Sequence, residues 1–166
     1  MHRNAITFFG LVLLAALLHS CSKDVRDPCL QPRNTFLAAT ATRHADTGVA
    51  IIDTALPNPV LIPITNQITK YIYGGVSKVI QLKFTLANDT NFSQWIVRPD
   101  SAVSVQDTLR FYYQRQLHFL SNACGYTNFY FLDSVQTTRH TIDSVRLQRQ
   151  DITTDANVEN LIIIFR

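Results

Sequence analysis

Along residues 108–120, apolar and polar side chains alternate one by one. Leu109, Phe111, Tyr113, Leu117 and Phe119 hold odd positions; Thr108, Arg110, Tyr112, Gln114, Gln116 and His118 hold even ones. A period of two puts the first set on one face of a strand and the second on the other, so the segment predicts a half-buried β-strand. Arg115 interrupts the apolar set and predicts a bulge or strand end beside it. Residues 78–86 repeat the pattern, with Ile80, Leu82, Phe84 and Leu86 inward and Val79, Gln81, Lys83 and Thr85 outward. They run into Ala87-Asn88-Asp89-Thr90-Asn91, a turn by composition. Shorter strands are expected at 35–42, 49–54, 60–65, 70–73, 94–97, 126–133, 142–148 and 160–165, with a short helical turn before Cys124. Many short strands between turn residues predict an all-β fold: a single antiparallel β-sandwich, or a barrel-like variant of it.

The N-terminus follows a different pattern. One basic residue, Arg3, precedes an uncharged stretch from Ala5 to Leu18 that is rich in Leu and Phe. Such a run predicts the helical core of a cleaved export signal and is short for a membrane span. It ends in Leu18-His19-Ser20-Cys21. This resembles the lipobox of bacterial lipoproteins, in which a Leu stands three residues before a Cys that is acylated and becomes the first residue. His19 departs from the small residue preferred there, while Leu18, Ser20 and Cys21 keep the register. The competing reading is an ordinary signal peptide followed by a coincidental Cys. The expected division is a signal at 1–20, a lipidated tether at 21–34 containing Pro28 and Pro32, and one β-sandwich domain at 35–166.

Charge narrows the function classes. Lys and Arg number 15 against 12 Asp and Glu, for a net charge of +3, and the basic residues form no stripe. Nucleic acid is therefore not an expected partner. Of the 3 cysteines, Cys21 is assigned to the lipid, leaving Cys29 and Cys124. An even remainder in an oxidising compartment predicts one disulfide between them. The alternatives are two free thiols, or Cys29 bonded to a partner protein. His44, His118 and His140 lie far apart in sequence, so no metal site and no cofactor is expected.

No Gly-x-Ser-x-Gly, His-Glu-x-x-His or glycine-rich phosphate loop is present. His118 on an outward strand face and His140 in a loop are the candidate acid–base residues, and surface histidines are the plainer account of both. Asp100, Asp107, Asp133 and Asp143 stand beside Ser or Thr at strand edges, where Asp ordinarily serves turns. Phe111-Tyr112-Tyr113 and Phe129-Tyr130-Phe131 put rings on both faces of two strands. Tyr112 with Tyr126 or Tyr130 is thus a candidate stacking platform for sugar or peptide, unless another element covers that face. The pattern Asp-(Ser/Thr)-apolar recurs at Thr54, Ser101, Thr108, Ser134 and Ser144. It is similar to the O-glycosylation sequon of exported Bacteroidota proteins. Equally, it is how a turn leads into a strand.

Cys29 and the segment Ser121-Asn122-Ala123-Cys124-Gly125-Tyr126 resemble a family of Bacteroidota lipoproteins of unknown function. That family has a Cys soon after the lipidated one and a late Ala-Cys-Gly-aromatic motif. Ile142-Asp143-Ser144-Val145 and the apolar strand at 160–165 continue the likeness. The resemblance implies a small β-rich exported domain and carries no activity or site residue. The tether Cys21-Ser22-Lys23-Asp24-Val25-Arg26-Asp27 mixes charges, unlike the acidic surface-export signal of such bacteria, which favours the periplasmic face of the outer membrane over the cell surface.

The expectation is a non-enzymatic binding or envelope-structural module, joined to the membrane by its lipid and to an envelope protein or glycan by its domain. The alternative is a hydrolase or modifying enzyme of envelope glycans. Replacing Cys21 with Ser is expected to abolish the two-chain anchor and release an uncleaved or soluble exported form, read by fractionation and intact mass. Unchanged membrane retention with normal maturation would exclude lipidation at Cys21.

Overall fold

A computed structural model describes residues 28–46, 48, 50–64, 71–72 and 78–166. The signal, Cys21 and the first part of the tether lie outside them, as do parts of the segments expected as strands at 49–54, 60–65 and 70–73. The described residues form strands and no helix, arranged as two facing sheets without barrel closure. The strands are β1 (Leu37–His44), β2 (Ile51–Asp53), β3 (Val60–Pro63), β4 (Tyr71–Ile72), β5 (Gln81–Phe84), β6 (Phe92–Arg98), β7 (Asp107–Ser121), β8 (Gly125–Thr137), β9 (Ile142–Leu147), β10 (Asp151–Ile152) and β11 (Leu161–Phe165). One sheet has the order β2-β1-β11-β9, with β5 also pairing β1; the other has the order β10-β8-β7-β6-β3-β4. All described pairs are antiparallel except β1 with β11, which brings the two ends of the domain side by side. β5 pairs residues 37–40 of β1 and β2 pairs residues 42–44, so one edge of β1 serves two short strands.

The core lies where the inward faces meet. Leu37, Ala39, Leu82, Phe84, Leu161 and Ile163 come from the first sheet; Trp95, Val97, Leu109, Phe111, Tyr113 and Leu132 come from the second. Phe84 packs edge-on against Trp95 at 5.5 Å between ring centroids and tilts against Phe111 at 5.1 Å. These contacts join the sheets through rings that each remove a large apolar area from water. Two polar side chains within the core are hydrogen-bonded there. The Tyr113 hydroxyl lies 2.7 Å from Ser93 Oγ and donates to the Ala87 carbonyl at 3.1 Å. Asn160, buried before β11, accepts from the Ala38 amide and donates to the carbonyls of Arg149 and Asp151.

The alternation of β7 holds from Leu109 to Tyr113, and a register shift falls between Tyr112 and Tyr113, close to the expected interruption at Arg115. Beyond it, Leu117 and Phe119 keep the inward parity yet are exposed, because β7 and β8 continue past the facing sheet as a two-stranded ribbon. At 78–86 the expected faces begin wrongly: Val79 is buried and Ile80 is exposed. Lys78 has a φ of 68° and Val79 pairs Leu56 as an isolated bridge, so regular alternation starts at Gln81. The chain before Cys124 is the turn of the β7–β8 hairpin rather than a helical turn, and β10 lies outside every strand expected from the pattern.

Phe111 is fully buried and Leu117 is 67% exposed, though both have the same parity on one strand. Phe111→Ala should therefore cost about 3–5 kcal/mol through lost burial and a cavity. Leu117→Ala should cost less than about 1 kcal/mol. Urea unfolding of both variants measures the difference, and equal losses would contradict the ribbon.

Candidate functional site

β7 links two distinct ends of the molecule. At its start Asp107 is completely buried, and the chain at 138–142 wraps around its carboxylate. Oδ1 accepts from Thr138 Oγ1 at 2.7 Å and the His140 amide at 2.8 Å. Oδ2 accepts from the Thr141 amide and hydroxyl, both at 2.6 Å, and from the Ile142 amide at 2.9 Å. His140 Nδ1 lies 3.2 Å from Oδ1. Burial by itself would raise this pKa, but the hydrogen bonds from His140, Thr141 and Thr138 outweigh it and hold the carboxyl well below the usual range. The group is a clasp that closes the β8–β9 connection onto the start of β7.

Beside the clasp is a cleft of about 330 Å³. Leu56, Val103, Val105 and Phe165 give it apolar walls, with Arg43, His140 and Arg166 among its polar lining. Thr54 also lines it, with a buried hydroxyl that has no hydrogen-bond partner. His140 thus joins a carboxylate at a cleft, as an acid–base residue would. That carboxylate already serves five other donors, and among the described residues no hydroxyl or thiol is hydrogen-bonded to the His140 ring. His118 lies toward the far end of β7, exposed and stacked on Phe129 at 4.1 Å, so the two histidines do not meet.

The far end is the hairpin turn. Cys29 and Cys124 form a disulfide there, with Cα atoms 4.7 Å apart. The closed loop has a sequence separation of 95, and the chain-entropy account gives roughly 4–5 kcal/mol for such a loop. Gly125 follows with a φ of 72°, a conformation that side-chain-bearing residues rarely adopt. Thr127 Oγ1 donates to the Arg33 carbonyl at 2.7 Å, extending the link between tether and hairpin.

The expected aromatic platform is not assembled. Tyr130 is buried and its hydroxyl donates to Asn88 Oδ1. Tyr126 contacts Phe119 at 5.1 Å, on the face of the ribbon that continues the core side, whereas Tyr112 belongs to the opposite face.

The recurring Asp-(Ser/Thr) pairs occupy varied sites. Ser101 and Ser134 are exposed, Thr108 and Ser144 are half-buried, and the Thr54 hydroxyl is closed off from solvent. Several make local or tertiary bonds: Asp100 accepts from the Ala102 amide, Ser101 Oγ accepts from Asn58 Nδ2, and Asp133 accepts from Gln114 Nε2. The Thr108 amide donates to Thr138 Oγ1 beside the Asp107 clasp. Asp107 was legible only as a strand-edge residue, since its partners lie 31 to 35 positions away. Among the described residues, no group of three or more His, Cys, Asp or Glu could hold a metal ion.

Residues 64–165 match the model of a family described as "Family of unknown function (DUF6452)". No curated protein and no solved structure matches the chain.

The clasp has a pH signature. With its folded pKa depressed, Asp107 contributes stability that is present above the unfolded carboxylate value of about 3.9 and is lost as pH falls toward the lower folded value. Asp107→Asn should lose about 2–4 kcal/mol at pH 7, because an amide nitrogen would face donors. Its stability should also fall less steeply below pH 4 than that of the parent. Urea unfolding at pH 7 and pH 3 tests both, and parallel acid slopes would refute the clasp.

Proposed function

As the chain belongs to DUF6452, a family of unknown function, we propose from its geometry that it is an exported lipoprotein whose sandwich serves as a non-enzymatic binding module of the envelope. In this reading Cys21 carries the lipid, the outer membrane holds it, and the domain faces the periplasm. The supporting observation is the polarity of β7. The hairpin turn that follows its end is bonded to the tether at Cys29, and its start lies beside the 330 Å³ cleft. A strand of 15 residues separates these features by roughly 45 Å at about 3.3 Å per residue. The cleft then points away from the anchor and toward a partner. Its apolar wall is Leu56, Pro99, Val103 and Val105, and the Phe165 ring and the His140 imidazole are the aromatic groups in its lining, which suits an apolar side chain of a peptide segment better than stacking on a sugar ring. Modification of the exposed Ser101 or Ser134 is compatible with that arrangement.

A glycan-directed hydrolase is the second reading, favoured by His140 standing 3.2 Å from Asp107 at the cleft. The saturated carboxylate argues against it, because the clasp uses Asp107 to hold backbone in place.

A photo-crosslinking residue replacing Val105 in the full chain, expressed in its own host, should capture a discrete envelope protein. The same probe replacing Ser134, exposed on β8, should not. Absence of an adduct at 105, or identical adducts from both positions, would overturn the cleft as the binding site.

A further inference from the structure

Between residues 116 and 132 the chain contains no Asp, Glu, Lys or Arg, although most of this segment forms the protruding ribbon. Leu117 is 67% exposed, Tyr126 59% and Phe119 47%, and Phe119 and Tyr126 touch. Leu30, next to the half-cystine that is bonded to the turn, is 89% exposed. Solvated hairpins and sheet edges ordinarily carry charges that keep them soluble and unpaired. This one carries aromatic and aliphatic side chains instead.

We propose that the β7–β8 hairpin tip is a bilayer-contacting surface, with Leu117, Phe119, Tyr126 and Leu30 seated at headgroup level. The proposal rests on the lipid-anchored reading above. Its second support is the length of chain outside the described residues: even fully extended, the interval from Cys21 to Cys29 spans at most about 29 Å. The disulfide transfers that limit to the hairpin turn, so an acylated Cys21 holds the exposed apolar cluster close to the lipid surface. Aromatic side chains favour this interfacial zone, where a ring meets acyl chains and its polar atoms meet water. The ribbon's outer edges set the depth. β6 pairs β7 only as far as Tyr112, and β10 pairs β8 only at Tyr130 and Phe131, so among the described residues no strand pairs either outer edge beyond those points. Unpaired backbone groups are not tolerated in the hydrocarbon core, so the tip lies in the interface and does not cross it.

The test uses the full acylated chain in vesicles of phosphatidylethanolamine and phosphatidylglycerol, with Tyr126→Trp and Ser134→Trp variants. The one native Trp, Trp95, is buried and gives a constant background. The Tyr126→Trp fluorescence should be quenched by brominated lipid and shielded from iodide, and the Ser134→Trp fluorescence should show the reverse. A Phe119→Trp variant should behave like Tyr126→Trp and guards against a local folding defect at position 126. Iodide quenching at both tip positions equal to that at 134 would overturn the bilayer contact. Shielding from both quenchers would also overturn it, showing the tip packed against protein. The mass of the N-terminal peptide separates the two levels: an unacylated Cys21 defeats the anchored reading, whereas acylation with an iodide-accessible tip defeats the bilayer contact alone.

Discussion

Phe84 sits on a four-residue strand that would have little stability alone, yet its ring meets both Trp95 and Phe111 across the gap between the sheets. Everything else in the core is arranged around that meeting. β5 is held in place by its ladder to β1, and β1 is held by its parallel ladder to β11. Parallel pairing of the first and last strands of the domain brings residues from opposite ends of the chain together, which makes it costly in loop entropy and dependent on the remainder of the fold. The inter-sheet rings and the β1–β11 ladder therefore support each other. Loss of the rings would remove the burial that offsets closing so long a loop.

Periodicity in the sequence identified the sandwich because alternation is a local property. Leu109, Phe111 and Tyr113 show it cleanly, and all are buried. It misplaced Leu117 and Phe119 for a definite reason: parity states which face a residue occupies, not whether a second layer covers that face. The sheet containing β1 stops short of the ribbon, and that boundary depends on strand lengths far away in sequence. Val79 and Ile80 illustrate a different limit. A positive φ at Lys78 breaks the strand locally, so alternation extrapolated back from Phe84 lands on the wrong face.

The disulfide was legible through arithmetic and compartment, requiring only that one of three cysteines be assigned elsewhere. The Asp107 clasp was not. An Asp before a strand looks the same whether it caps a turn or receives five donors from a distant loop, and only folding supplies the partners. The same ambiguity explains the recurring Asp-(Ser/Thr) pairs. At Asp107-Thr108 and Asp100-Ser101 the residues already hold backbone or neighbouring side chains, so the pattern has a structural use whether or not any hydroxyl is modified.

The position of the Cys29–Cys124 bond also decides how the domain would respond to mechanical load. A pull on the chain upstream of Cys29 divides at the bond, one branch following the backbone toward β1 and the other entering the hairpin turn at Cys124. Force entering at a hairpin turn runs along the axes of β7 and β8, so their ladders to β6 and β10 are loaded in shear. Without the bond, the same pull would reach the domain through β1 alone, an interior strand of its sheet with ladders on both sides. Reduction of one covalent bond would thus redirect the load path between the two sheets without altering any strand pairing.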